Sequence, residues 1–156
     1  MIIKGANEMI NLAYRSGVQL AKSIEQNIVI YLSGDLGSGK TTFTKGLIRG
    51  LGFEGLVTSP TFSIIETIET ELFLIFHIDL YRLERAQEVI ELGLHEEPNY
   101  KKPSIIIIEW PEKGHHLILP PDVEISFDTT KIKDERKIEL KDDTNKLGHA
   151  FNNWLE

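Results

Sequence analysis

Gly34-Asp35-Leu36-Gly37-Ser38-Gly39-Lys40-Thr41 sets glycine, lysine and a hydroxyl at the spacing G-x-x-x-x-G-K-[ST]. Each of those positions has a physical task. Glycines turn the chain through positive φ and let the main chain come close to an anion. Successive N–H groups then converge in a nest at the start of a helix, where the helix dipole adds partial positive charge. A lysine in the place of Lys40 reaches the β- and γ-phosphates, and a hydroxyl in the place of Thr41 suits Mg²⁺. Thr42, one residue on, could meet an α-phosphate. The bland alternative is a glycine-rich turn that only joins a strand to a helix. The context favours the phosphate reading: the loop follows an apolar β-branched run and opens a periodic helix, as its mechanism requires. Nucleoside triphosphate binding follows from this pattern; hydrolysis does not follow from the loop alone.

A loop of this kind works with an acidic group at the end of a neighbouring strand, which holds Mg²⁺ or one of its waters. Glu109 closes the run Ser104-Ile105-Ile106-Ile107-Ile108, and Asp79 closes Phe73-Leu74-Ile75-Phe76-His77-Ile78. Strand ends of parallel sheets are where ligand-binding groups collect. By alternation His77, Asp79 and Tyr81 fall on one strand face. The competing reading is that both carboxylates merely end strands in solvent. Trp110 directly follows Glu109 and sits at the edge of the expected site, where packing is also open to it. Other polar clusters carry less. His115-His116 is adjacent rather than spaced for chelation, His95-Glu96-Glu97 lacks the second histidine of a metalloprotease helix, and Lys101-Lys102 reads as solvated loop.

These groups need elements to hold them. The chain has 156 residues, with 17 Lys+Arg against 24 Asp+Glu and a formal charge of -7, so a single domain over residues 1–156 is expected. Hydrophobic content of 41% and charged content of 26% exclude wholesale disorder and collagen. The absence of cysteine excludes disulfides, thiolate metal sites and thiol nucleophiles. Apolar runs stop far short of the ~20 residues that span a bilayer, and no signal-peptide pattern opens the chain, so the expectation is a cytoplasmic protein with no membrane partner. The acidic balance weighs against tight direct binding of nucleic acid, whose phosphates draw on Lys and Arg.

Periodicity predicts a helix over Asn7 to Ile24 with Asn7 as N-cap, a buried strand over Asn27 to Leu32, and a helix over Lys40 to Leu51. Strands at Thr61 to Ile68 and Leu72 to Leu80 form an expected hairpin, although no Gly or Asn marks its turn. A helix over Glu84 to Leu92 closed by Gly93, a strand over Ser104 to Glu109, and strands over Val123 to Phe127 and Arg136 to Leu140 follow. A last amphipathic helix carries Leu147, Phe151, Trp154 and Leu155. Together they predict an α/β fold with a mixed, mainly parallel sheet flanked by helices and an antiparallel hairpin.

Five stretches extend the phosphate loop into a broader likeness: GDLGSGKTTFTKGLIRGLG (Gly34–Gly52), TSPTFSII (Thr58–Ile65), HIDLYRL (His77–Leu83), ELGL (Glu91–Leu94) and IIEWPEKG (Ile107–Gly114). With LPPDVEI at Leu119–Ile125, they resemble, in order and over nearly the whole chain, the bacterial TsaE family of tRNA threonylcarbamoyladenosine synthesis. The resemblance implies a single-domain P-loop NTPase that takes ATP and Mg²⁺. It also implies two partners of one fold family, the threonylcarbamoyl transferase subunit TsaD and its paralogous support subunit TsaB. ATP hydrolysis, slow alone and raised by the partners, would let that complex turn over, with tRNA involved only indirectly. Thr58, Ser59, Pro60 and Thr61 would then form a switch-like segment. Asp79 and Glu109 match acidic positions linked to Mg²⁺ and hydrolysis, Trp110 matches the aromatic beside them, and Glu135-Arg136 stands where members often carry Gly-Arg. The expected roles are Lys40, Asp79 and Glu109 in catalysis, Thr41, Glu109 and Asp79 at the metal, and Gly34, Asp35, Gly37, Ser38, Gly39, Lys40, Thr41 and Thr42 around the nucleotide. Between the two acids, Asp79 is assigned to the water and Glu109 to the metal, an assignment that can be reversed. Two other functions share the loop: a small-molecule kinase, which would want an acceptor pocket and a cationic lid, and a non-catalytic nucleotide sensor.

Overall fold

The computed structural model describes residues 1–142 together with Thr144, Leu147 and Phe151. The strands and helices follow in the order β1 (Ile2–Lys4), α1 (Gly5–Ser23), β2 (Ile28–Gly34), α2 (Lys40–Gly50), β3 (Ile65–Glu69), β4 (Leu74–Asp79), α3 (Gln87–Glu91), β5 (Ser104–Glu109), β6 (Val123–Thr129) and β7 (Glu135–Lys141), with 3-10 turns at Pro111–Lys113 and His115–Leu117. All seven strands join one sheet in the order β1-β7-β6-β2-β5-β4-β3. The four central strands, β6, β2, β5 and β4, run parallel, and antiparallel partners flank them on both sides. This is the mixed α/β sheet expected from the sequence.

The centre of the sheet is dry because its strands are apolar on both faces. Every residue of β5 is buried. Ile28, Ile30 and Leu32 of β2 and Ile105 and Ile107 of β5 join the core beneath α1 and α2. Val29, Ile106 and Ile108 point the other way, into a smaller cluster with Val89 of α3 and Ile118. Parallel strands covered on both faces read as unbroken hydrophobic runs for this reason. The two covers differ: one is a pair of long helices, the other a five-residue helix and irregular chain.

α1 and α2 approach closely through glycines. A Cβ on Gly50 would lie 2.2 Å from the Tyr14 carbonyl oxygen, and one on Gly17 2.3 Å from that of Leu47. The contact seats α2, and with it the loop before it.

Several boundaries differ from the sequence reading. β1 was too short to give a pattern; it forms by pairing with β7. Asn7 does not cap α1, which begins at Gly5; instead the Lys4 N–H donates to Glu8 Oε2 at 2.7 Å. Residues 61–64 are turn rather than strand, since the Ile64 N–H bonds back to the Pro60 carbonyl at 2.7 Å. The β3–β4 turn lacks glycine because Thr70 closes it: its Oγ1 accepts the Phe73 N–H at 3.0 Å. The predicted third helix shrinks to α3, although Gly93 does take the left-handed φ of +71° beyond its end. The predicted C-terminal helix lies outside the described residues, apart from Leu147 and Phe151, which are buried in the core. No helix among the described residues is long and apolar enough to cross a membrane.

The glycine contact generates a stability prediction. Gly50→Ala should destabilise the fold by about 1–3 kcal/mol through overpacking, read as a lower denaturation midpoint. An unchanged midpoint would show that α1 and α2 have slack at this crossing.

Candidate nucleotide and magnesium site

β2, β4 and β5 deliver their last residues to one edge of the sheet. Gly34 ends β2, Asp79 ends β4 and Glu109 ends β5. Asp79 and Glu109 are ladder partners, as are Leu32 and Glu109, so the register alone brings both acids beside the loop after β2.

That loop is shaped by positions a side chain would spoil. Gly34 has φ +143°, and a Cβ there would come within 2.4 Å of the Phe127 carbonyl oxygen. Gly39 is the N-cap of α2 with φ +110°. α2 then begins at Lys40, its first intrahelical bond running from the Phe43 N–H to the Gly39 carbonyl at 2.9 Å. The amides of its first turn are therefore free of helical partners and face outward. Ser38 Oγ is buried within the loop with no hydrogen-bond partner among the described residues.

Lys40 curls back into the same space. Its Nζ donates to the Gly34 carbonyl, and to the Asp35 carbonyl at 3.0 Å, and it sits 4.0 Å above the centroid of the Trp110 ring. Burial holds its pKa below the ordinary lysine value, opposed by the carboxylates of Glu109, Glu112, Asp79 and Asp35. Lys40 is buried, and its ammonium is bonded to two main-chain carbonyls beside the Trp110 ring, an arrangement suited to receive an anion.

Glu109 is 2% exposed and is held by three donors. Thr41 Oγ1 donates to its Oε2 at 3.0 Å, Thr44 Oγ1 shares its one proton between the Lys40 carbonyl at 3.0 Å and Oε1 at 3.3 Å, and His77 Nε2 lies 2.8 Å from Oε1. Asp79 is held differently. Ser59 and Thr61 donate to Oδ2 at 3.3 and 3.2 Å, and the Tyr81 N–H donates to Oδ1 at 3.0 Å. Trp110 takes a left-handed φ of 59° after the strand, its N–H donates to the Leu32 carbonyl at 3.2 Å, and its ring packs against Tyr81 at a 45° tilt with 5.0 Å between centroids. The loop, Ser59, Thr61, the two acids and Trp110 enclose a cleft of about 250 Å³.

The donor set fits a particular kind of guest. Among the described residues no group of three or more His, Cys, Asp or Glu could hold a metal by itself. Mg²⁺ rarely needs one; it keeps waters and binds through one or two carboxylates plus the phosphates of its substrate. The Thr41 hydroxyl and the Glu109 and Asp79 carboxylates supply hard oxygens of that type next to the free amides. The residues present fit a polyphosphate carrying a divalent cation.

Most of the residues chosen from sequence converge here: Gly37, Ser38, Gly39, Lys40, Thr41 and Thr42 line the cleft. Asp35 is exposed and contributes its carbonyl rather than its side chain. Thr58 is exposed and lies outside the cleft wall. Tyr81 falls beyond the end of β4, so it meets Asp79 through its amide and not by strand alternation. Arg136 reaches the loop, donating from Nη2 to the Gly37 carbonyl at 3.2 Å. Sequence reading missed Thr44 and the His77–Glu109 contact. Thr44 was within reach, being one turn after Lys40 on the buried side of α2. The His77 contact needed the sheet register.

The chain is similar to known proteins of one family. The model of the family described as "Threonylcarbamoyl adenosine biosynthesis protein TsaE" matches residues 6–138. A protein of Haemophilus influenzae named "tRNA threonylcarbamoyladenosine biosynthesis protein TsaE" is 40% identical over 121 residues, 78% of this chain and 74% of that protein. One of the same name from Rickettsia felis is 40% identical over 119 residues, 76% of this chain and 66% of that one. The crystal structure of Bacillus subtilis YdiB superposes with a TM-score of 0.72 at 24% identity, covering 98% of this chain and 90% of that one. That last likeness is one of fold.

The placement of Lys40 generates a binding prediction. Lys40→Ala should weaken a nucleoside triphosphate by about 10-fold or more, the scale of a charge-assisted hydrogen bond, measured by calorimetry. Equal affinity in the two proteins would mean that the anion does not enter this loop.

Proposed function

The chain belongs to the TsaE family of threonylcarbamoyladenosine biosynthesis proteins, and from that premise we propose that it is a magnesium-dependent ATPase serving tRNA threonylcarbamoyl transfer. The observation that supports this best is the convergence of free α2 amides, Lys40, Thr41 and two strand-end carboxylates on one cleft. In this reading the triphosphate lies against the loop amides, and Lys40 leaves its two carbonyls for phosphate oxygen. Thr41 and Glu109 would hold the magnesium that comes with ATP, and that ion would supply neutralising charge to the phosphates. Loop amides and Lys40 stabilise the negative charge that spreads over the transferring phosphoryl group.

Asp79 is assigned to the attacking water. Its Oδ2 is held by the hydroxyls of Ser59 and Thr61, on an exposed segment next to the cleft. A γ-phosphate entering there changes what those hydroxyls bond to, which gives the segment its switch-like character. Trp110 packs over Lys40 and shields it from water. The modification chemistry itself belongs to the transferase partner, TsaD, with TsaB as support, and hydrolysis by this chain resets that complex for another round. The net charge of -7 assigns tRNA to the partners rather than to this surface.

The test is phosphate release from ATP in the cytoplasmic buffer range, with and without the two partners. Slow release alone, with no acceptor added, and a clear rise on adding both partners is the expected result. Release that requires an added acceptor molecule would favour a kinase, and no stimulation by the partners would remove the proposed role. Asp79→Ala should lower the turnover rate by about 10²-fold, the lower scale of general acid–base effects, while ATP affinity stays within a few-fold. A variant that turns over normally would move the water to another group.

A further inference from the structure

His77 is fully buried in β4. On the sheet it faces Glu66 of β3 on one side and Ile107 of β5 on the other. Residues two apart on a strand share a face, so Glu109 is its diagonal neighbour on the side covered by α2. The contact is close: Nε2 to Glu109 Oε1, 2.8 Å. A carboxylate oxygen accepts, so the proton of this bond belongs to Nε2. The other ring nitrogen is unusual. Nδ1 lies 3.9 Å from Glu66 Oε2, too far for a hydrogen bond, and both atoms are buried with no hydrogen-bond partner among the described residues. A leucine or phenylalanine would fill the same space without stranding a polar atom. The polar ring therefore has a use at its Nε2 end.

Glu109 shows what that use is. Its Oε1 is taken by the interior donors His77 and Thr44, which leaves Oε2 turned to Thr41 at the cleft. We propose that His77 is a positioning residue for Glu109, its Nε2–H fixing Oε1 so that Oε2 addresses the Thr41 hydroxyl and the cation that accompanies the nucleotide. This rests on the reading of the cleft as a magnesium–nucleotide site. Partners of this kind, bonded to a ligating carboxylate, orient it, and losing one costs about 10-fold or more in metal affinity.

The test compares two amides. In His77→Gln the side-chain nitrogen reaches the ε position; in His77→Asn it stops at the δ position. ADP binding is measured by calorimetry in Mg²⁺ and again in EDTA, and the ratio of the two affinities reports the cation's contribution. His77→Asn should lose about 10-fold in that ratio, with EDTA affinity unchanged, and His77→Gln should keep it. A packing role would move both variants alike, so equal ratios in the two, whether lowered or unchanged, overturn the proposal. Nitrogen NMR of the wild-type histidines adds a readout that needs no variant: Nε2 of His77 should carry the proton, and a bare Nε2 overturns the proposal even where neither variant folds. Wild type that binds ADP in neither condition overturns the nucleotide reading together with this one. Magnesium-enhanced binding in the wild type that survives in His77→Asn overturns the positioning role alone.

Discussion

The hydrogen bonding of one buried carboxylate ties the site together. Glu109 stands at the end of the most apolar strand of the sheet, 2% exposed, where an unpaired charge would be costly. Thr41 and Thr44 come to it from α2 and His77 from β4. Those bonds fasten the first turn of α2 to the strand ends. The glycine crossing with α1 presses the same helix from its far side, so the loop before it has little freedom. Free amides, a lysine and a threonine hydroxyl are thus presented at fixed positions before any ligand arrives, which is what preorganised electrostatic stabilisation requires.

The second carboxylate contrasts with the first. Asp79 also ends a buried strand, but two of its donors are hydroxyls of Ser59 and Thr61, on irregular chain between α2 and β3. That segment closes on Ile64, a β-branched residue at φ 66°. A left-handed conformation of this kind costs on the order of 1–3 kcal/mol and persists only where surroundings hold it. Its bonds to Pro60 and to the Asp79 amide do so here. One acid is therefore braced by regular elements and the other by a strained, exposed segment. In the proposed function, a site that holds a cation and also registers a terminal phosphate has use for both.

The sequence made much of this legible, for identifiable reasons. The loop is local: eight consecutive residues carry its glycines, lysine and hydroxyl, and the apolar run before it and periodic helix after it set its context. Glu109 and Asp79 could be chosen because each directly follows an apolar run that had to be a central strand. What escaped was non-local. His77 reads as one member of an alternating strand until the parallel pairing of β4 with β5 puts it diagonally opposite Glu109. β1 exists only through its pairing with β7. Arg136, raised in the sequence only through the family resemblance, meets Gly37 across ninety-nine positions of chain. At residues 61–64 β-propensity, real at Phe62 and Ile64, yields to a turn closed by the hydrogen bond from the Ile64 N–H back to Pro60.

The most direct measurement is a crystal structure of the chain with Mg²⁺ and a non-hydrolysable ATP analogue. The triphosphate should lie against the amides of residues 37–41, with Lys40 swung from its carbonyls to phosphate oxygen and the cation beside the Thr41 hydroxyl and Glu109. A triphosphate bound elsewhere on the molecule, or a cation with neither Thr41 nor Glu109 beside it, would contradict that placement.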